Sequence, residues 1–218
     1  MDLIMTGLEF FHKGGPVMYV LLLCSVFVVA IAVERAGFFK REDAGRSFAQ
    51  AFADKITRGD AEAAEKLAEN TKGILPKLLV EGLNYGKDEN IDLNTYFEVQ
   101  SGIALSRFRK RLYYLSVIVT LGPLLGLLGT ISGMISAFSI FNLESGQAVA
   151  ITGGVGEALI ATAMGLCTAI IALGIHAYFS QRIDNIVADM EQCFSLVEAS
   201  RKALSGKPGE LYKAGEAV

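Results

Sequence analysis

The sequence has few residues of the kinds that carry enzyme chemistry or covalent cross-links. It contains three cysteines and two histidines among 218 residues. Cys24, Cys167 and Cys193 are odd in number and widely scattered, so they fit neither a disulfide framework nor a metal site. A glycine-rich phosphate loop and a nucleophile arrangement are also missing. The sequence therefore gives no basis for a soluble enzyme, a metal, an organic cofactor or nucleic-acid binding.

Charged residues are almost absent from two long apolar segments in the second half of the chain. These segments cover roughly residues 112–141 and 151–177, and their single carboxylate is Glu157. An acid inside a bilayer is energetically costly, so Glu157 is a functional candidate by default. Neither segment has the chain of Asp, Lys or Arg that a complete proton or ion relay requires. We therefore expect a second protein to complete any conduction path.

Three segments are long enough to cross a membrane. Hydrophobic residues make up 52% of the chain, and they concentrate in residues 16–34, 112–141 and 151–178. A span of ~20 residues crosses a hydrocarbon layer of ~30 Å. We predict an all-α membrane protein with three transmembrane helices, of which the second and third extend into a cytoplasmic helical domain.

Positive charges are distributed unevenly around these three segments. Residues 142–150 contain no Lys or Arg, and residues 1–15 contain only Lys13. The basic residues occupy the other flanks: Arg35, Lys40, Arg41 and Arg46 after the first segment, Arg107, Arg109, Lys110 and Arg111 before the second, and Arg182 after the third. The positive-inside rule then places the N-terminus outside and the C-terminus in the cytoplasm.

The remaining segments complete this topology. On the outer side we expect an interfacial amphipathic helix at 1–15 and a short loop at 142–150. On the cytoplasmic side we expect a helical region at 35–111, a helix at 179–204 and a flexible tail at 205–218. The third span is predicted to continue into that cytoplasmic helix, because apolar residues recur at helical spacing: Ile183, Val187, Met190, Phe194 and Val197.

Apolar spacing also predicts the helices of the cytoplasmic region. Short helices are expected at 47–57, 61–69 and 74–85, and Asp60 is placed to cap the second. A fourth helix begins near Asn94 and meets no helix breaker before the second span. We therefore predict that it runs into the membrane as one continuous rod.

Small residues fall on one face of each of the last two spans. In the second span they recur at steps of three and four: Gly122, Gly126, Gly129, Gly133 and Ala137. The third span has a similar face: Ala158, Ala161, Gly165, Thr168 or Ala169, and Ala172. Small residues let helix backbones approach closely where lipid provides no hydrophobic drive. We expect these faces to pack helices together.

Polar residues in the same spans are candidates for a conduction path. Thr130 and Thr162 each lie eleven residues from the outer end of their span, ~17 Å deep at the helical rise. Two hydroxyls at one level form part of a polar ring if the protein assembles around an axis. Alternatively, each hydroxyl is satisfied by the carbonyl one turn back. Glu157 lies nearer the outer end of its span. It could act either as a proton carrier or as a structural acid that is hydrogen-bonded across an interface.

Two stretches resemble motifs of a known family. Residues 124–138, LLGLLGTISGMISAF, resemble the second-span motif of the MotA/TolQ/ExbB proton channel family. Residues 156–166, GEALIATAMGL, resemble its third-span motif, and the helix start at Gly59-Asp60 is similar but less specific. The three-span architecture resembles ExbB and TolQ more than the four-span MotA. The chain departs from the family pattern at Ser132 and at Ile171, where the family often has a bulky residue and a proline.

The resemblance implies a function and a set of partners. It implies a homopentamer in the bacterial inner membrane, with the second and third spans lining a channel that holds two copies of a single-span ExbD- or TolR-like protein. That partner brings a proton-carrying Asp, and Thr130, Thr162 and Glu157 match the channel-lining or coupling positions. Proton motive force, with H⁺ favoured over Na⁺, then energises a TonB- or TolA-like protein acting on the outer membrane.

Other readings of the same residues stay open. The load could be TonB-type uptake, a TolQ-like function in envelope integrity or division, or a gliding or flagellar stator. A passive membrane scaffold, whose small-residue faces only hold other helices, is the alternative from a different functional class. None of these readings is an enzyme.

Overall fold

The computed structural model describes residues 15–85, 92–143 and 148–204, with side chains for all of them except 139–143, 148–152, 157 and 202–204. The predicted tail at 205–218 lies outside these residues, as does the predicted outer helix at 1–15 except for its last residue. The described residues form seven helices: α1 (Gly15–Glu42), α2 (Arg46–Thr57), α3 (Ala61–Asn70), α4 (Ile74–Tyr85), α5 (Leu93–Arg109), α6 (Leu112–Leu143) and α7 (Ala148–Leu204). The predicted all-α class is confirmed.

Three of these helices, α1, α6 and α7, are long and apolar enough to cross a membrane. Helix α1 has 28 residues, α6 has 32 and α7 has 57, which correspond to lengths of ~42, ~48 and ~86 Å. All three exceed a hydrocarbon thickness of ~30 Å. The prediction of three transmembrane helices is therefore confirmed, while their orientation stays a prediction.

The chain divides into two compact units. The membrane unit contains the residues up to Arg35 together with Arg111–Phe179, and the polar unit contains Ala36–Lys110 together with the residues from Ser180 onward. Helices α1 and α7 contribute residues to both units.

The polar unit has a core of large apolar side chains. Phe52, Leu79, Leu93, Phe108 and Met190 are almost completely buried. Aromatic rings add specific contacts, since the rings of Phe97 and Phe194 stack with centroids 4.1 Å apart. Burial of this apolar area drives the helices of the unit together.

The short helices of the polar unit form where apolar spacing predicts them. Helices α2 and α4 coincide with the predicted segments to within one residue, and α3 extends one residue beyond its predicted end. Gly59, at φ 80°, turns the chain between α2 and α3. The Asp60 side chain then accepts a hydrogen bond from the Ala63 N–H at 3.0 Å, so it caps α3 as predicted.

The prediction of one continuous rod from Asn94 into the second span is wrong in one respect. Helix α5 ends at Arg109, and α6 begins at Leu112. Lys110 takes an extended backbone conformation (ψ 134°), and Arg111 takes a left-handed one (φ 71°). Left-handed geometry costs a non-glycine residue about 1–2 kcal/mol, so other contacts must hold the break open.

Those contacts are ionic and lie within the membrane unit. The Arg111 guanidinium forms an ion pair with the Glu34 carboxylate, with a nitrogen–oxygen distance of 3.2 Å. The same carboxylate accepts two hydrogen bonds from Arg35, both at 2.7 Å, and Arg35 is almost completely buried. This cluster of Glu34, Arg35 and Arg111 fixes the left-handed residue. The third span has no such interruption, and its predicted continuation is confirmed, because α7 runs unbroken to Leu204.

Candidate functional site

The candidate site is the seam between α6 and α7 in the membrane unit. At this seam the two helix backbones approach so closely that a side chain would not fit at several glycines. A methyl group added to Gly165 would lie 2.5 Å from the Gly122 carbonyl oxygen. One added to Gly126 would lie 2.9 Å from the Thr162 Cα atom. Real Cβ contacts are essentially never this short, so only glycine permits the observed separation.

The same close packing continues towards the α6–α7 connection. A methyl group at Gly129 would lie 2.6 Å from the Ala161 Cβ atom, and one at Gly133 would lie 2.8 Å from the Ala158 Cβ atom. Met18 and Leu21 of α1 form a buried cluster with Ala161. The structure thus places all five glycines predicted to pack helices at the contact between α6 and α7: Gly122, Gly126, Gly129, Gly133 and Gly165.

Thr162 bridges the two helices of the seam. Its hydroxyl donates a hydrogen bond to the Gly126 carbonyl oxygen at 3.0 Å. The close approach of the two backbones at Gly126 brings this carbonyl within reach of the hydroxyl. The sequence left open whether this hydroxyl bonds to a carbonyl of its own helix. In the structure it bonds to the neighbouring helix instead. The hydroxyl oxygen keeps acceptor capacity, because it donates its only hydrogen and has two lone pairs.

Thr130, by contrast, bonds within its own helix. Its hydroxyl donates to the Leu127 carbonyl oxygen of its own helix at 2.7 Å. Thr168 and Ser136 do the same, donating to Met164 at 2.9 Å and to Ser132 at 3.0 Å. The structure therefore does not join Thr130 and Thr162 through a shared hydrogen bond.

Glu157 belongs to α7, but its side chain lies outside the described part of the chain. The described side chains at 112–138 and 153–175 contain no carboxylate, lysine, arginine or histidine. Glu157 is therefore the one carboxylate that the sequence places within these two ranges. Among the residues that the structure describes, no cluster of three or more His, Cys, Asp or Glu side chains could hold a metal ion.

Sequence reasoning missed two features of the membrane unit. The first is the cluster of Glu34, Arg35 and Arg111, in which Arg111 is far from the other two residues in sequence. In the sequence, Arg35 and Arg111 were interpreted only as positive charges that set the topology, and Glu34 was not considered. The second is a set of glycines on α7 away from the seam, where an added methyl group meets no atom within 4 Å: Gly153, Gly156 and Gly174. Their sequence signal was available, since small residues occur on more than one face of the third span.

Comparison with known proteins supports the resemblance carried by the two span motifs. Residues 70–192, more than half of the chain, match the MotA/TolQ/ExbB proton channel family. "Putative biopolymer transport protein ExbB-like 1" of Synechocystis sp. is 32% identical over 195 residues, which cover 83% of this chain and 75% of that protein.

Two further relatives carry ExbB names. "Putative biopolymer transport protein ExbB homolog" of Methanothermobacter thermautotrophicus is 25% identical over 188 residues, covering 85% of this chain and 67% of that protein. "Biopolymer transport protein ExbB" of Salmonella typhimurium is 32% identical over 113 residues, covering 50% and 46%. The matched region contains the glycine seam, Thr130, Thr162 and Glu157. The chain belongs to the MotA/TolQ/ExbB proton channel family.

Proposed function

We propose that the chain is the channel-forming subunit of a proton-driven motor in the bacterial inner membrane. The observation that carries the proposal is that the described side chains at 112–138 and 153–175 contain no carboxylate, lysine, arginine or histidine, in a member of a proton channel family. Because these ranges offer at most the carboxylate of Glu157, they lack the series of ionisable groups that a complete proton relay requires. They provide a fixed surface along which a proton carrier from another chain can move.

The proposed assembly is a homopentamer of this chain around two copies of an ExbD- or TolR-like single-span protein. An Asp of that partner carries the proton, with H⁺ favoured over Na⁺ because the described spans offer no further carboxylate oxygens to bind Na⁺. The family and the ExbB names of the relatives support a partner of this kind. The output of the motor would be the energising of a TonB-like protein that acts on the outer membrane.

Within this assembly we assign Thr162 the role of a polar contact for the carrier. Its hydroxyl is held in place by the hydrogen bond to the Gly126 carbonyl. Its free lone pair can then accept a hydrogen bond from a protonated carboxyl group, which lowers the cost of moving that group through the apolar layer. Thr130, which is bonded within its own helix, is a second contact that needs only a rotation of its side chain. Glu157 is proposed as the third member of the path.

The experiment compares Thr162→Val with Thr168→Val, since both remove one hydroxyl from α7 at almost constant volume. Each variant is purified with an ExbD-like partner and reconstituted into liposomes. Proton flux is then measured with an internal pH dye after a membrane potential is imposed. We expect Thr162→Val to reduce partner-dependent flux about tenfold or more, the effect of losing a stabilisation of about 1.4 kcal/mol or more. Thr168→Val is expected to conduct like the unmodified chain.

Two results would contradict the proposal. One is an unchanged flux in both Thr162→Val and Glu157→Gln. The other is full proton flux through the chain reconstituted without any partner. The mass of the purified complex, measured for every variant, shows whether assembly is intact.

The passive scaffold is a second candidate function, and one observation favours it. The Thr162 hydroxyl already has a structural partner across the seam. A scaffold predicts that Thr162→Val changes the mass or stability of the complex while any proton-linked output is unaffected. The flux and mass measurements above therefore separate the two functions.

A further inference from the structure

The polar unit contains a small cavity beside the turn that joins α1 to α2. Acidic residues line it on two sides: Glu42 at the end of α1 and Asp43 in the turn on one side, and Asp189 of α7 on the other. Leu75 of α4 and Phe108 of α5 form part of its apolar wall. Its volume of about 10 Å³ is close to the smallest that holds one water molecule.

Asp43 is fully paired at this cavity. One of its carboxylate oxygens accepts a hydrogen bond from the Gly45 N–H at 2.8 Å. The other accepts a short hydrogen bond from the Arg182 guanidinium. The turn itself is rigidly packed, because a methyl group at Gly73 would lie 2.9 Å from the Glu42 carbonyl oxygen. Hydrogen-bond donors therefore hold both carboxylate oxygens of Asp43 in position.

Asp189 differs from Asp43 in having no such partners. Its side chain is 9% exposed, and it forms no hydrogen bond or close ion pair with any residue in the described part of the chain. Burial raises the pKa of the Asp189 carboxyl, and the like charge of Asp43 raises this pKa further. The positive charge of Arg46 opposes both effects only in part. Protonation of Asp189 thus removes the energetic cost of keeping a negative charge in this buried position.

The other charged groups near Asp189 do not satisfy it. Glu42 is paired with Arg41 at 2.8 Å, and Arg182 is engaged by Asp43. Cys193, one turn along α7, is a neutral thiol, because burial raises its pKa to about 12. Helices α4 and α5 present only apolar residues to the cavity.

We propose that Asp189 and Asp43 form a proton-dependent clasp in the polar unit. When the compartment around this unit acidifies, Asp189 takes up a proton and donates a hydrogen bond towards the Asp43 carboxylate, directly or through one water in the cavity. Two acids that share one proton attract each other, whereas two ionised acids repel. The clasp ties the 180–204 part of α7 to the α1–α2 turn. This inference does not depend on the chain conducting protons.

The test compares Asp189→Asn with Asp184→Asn in the full-length purified protein. An amide donates a hydrogen bond as the protonated acid does, and Asp184 is an exposed acid on the same helix. Because the pKa of Asp189 is raised in the folded state, its ionised form lowers stability at neutral pH, and this penalty disappears as the pH falls towards the ordinary value of 3.8.

We therefore expect Asp189→Asn to raise the unfolding temperature by about 2–4 °C at about pH 8. This gain should shrink steadily as the pH is lowered, while Asp184→Asn follows the unmodified protein throughout. An Asp189→Asn variant that unfolds at a lower temperature at about pH 8, or a difference that does not change with pH, would overturn the clasp.

Hydrogen exchange of the unmodified protein provides a test that needs no variant. Protection of the backbone amides in residues 43–49, corrected for the intrinsic pH dependence of exchange, should increase as the pH falls. Constant or decreasing protection would also overturn the proposal.

Discussion

The α6–α7 seam and the core of the polar unit are both closely packed, but they use opposite residue types. The seam is formed by glycine and alanine, such as Gly122, Gly165 and Ala161. The polar unit is formed by large side chains, such as Phe52 and Phe108. Large apolar residues also occur on α6 and α7, but there many of them are exposed: Leu121, Leu124, Leu128, Ile131, Ile135, Leu159 and Ile170.

The difference follows from the solvent around each region. In water, each Å² of buried apolar surface contributes about 25 cal/mol, so large side chains are best placed inside. In lipid this gain vanishes, because the surroundings are as apolar as the side chain. Helices are then held by close backbone contact and by hydrogen bonds between them. The seam therefore requires small residues at the interface and leaves large ones facing outward.

The strongest test of this comparison is Gly165→Val. A side chain here meets the backbone of α6 at 2.5 Å, and backbone cannot move aside as a flexible side chain can. We expect the seam to open and the protein to be lost as a monodisperse species in size-exclusion chromatography. Gly174→Val adds the same side chain to the same helix at a position with no atom within 4 Å and should behave as the unmodified protein. Equal behaviour of the two variants would show that close backbone contact is not required.

Phe52→Ala tests the other side of the comparison. Phe52 is fully buried in the polar unit, and truncation of a buried Phe costs about 3–5 kcal/mol. We expect faster hydrogen exchange throughout α2, with α6 and α7 unaffected within 112–138 and 153–175. Val99→Ala, at an exposed position of α5, should change exchange very little. A Phe52→Ala variant with unchanged exchange in α2 would mean that large side chains do not hold this unit together.

The smallest effect concerns the hydrogen bond across the seam. Removal of the Thr162 hydroxyl by Thr162→Val should cost about 0.6 kcal/mol, the average for such bonds between membrane helices. Thr168→Val, which removes a bond within one helix, should cost less. Unfolding in mixed detergent micelles measures both. A larger loss in Thr168→Val would show that the bond between the helices adds nothing to the seam.

Sequence alone predicted the features that depend on local periodicity. The spacing of apolar and small residues predicts the short helices, the length of α7 and the small-residue face of α6. The break at Lys110–Arg111 was not predicted, because no glycine or proline marks it. A left-handed arginine there depends on Glu34, which is distant in sequence, and no local pattern reveals that contact.

The candidate site shows the same division. Spacing identified Gly126 and Thr162 as residues of facing helices, but it left two partners open for the hydroxyl. The register between α6 and α7 determines which carbonyl the Thr162 hydroxyl reaches. That register follows from glycine contacts along the whole seam. The role of Glu157 stays a prediction, because its side chain lies outside the described atoms.

The break before α6 has a mechanical consequence. Helix α7 keeps one ladder of backbone hydrogen bonds over 57 residues, so torque applied at its apolar end is transmitted along the axis to Leu204. Helix α6 is joined to α5 through Lys110 and Arg111, where the ladder is interrupted and single-bond rotation can absorb a twist. Helices α1 and α7 can therefore transmit a twist along their whole length, whereas the connection between α5 and α6 cannot.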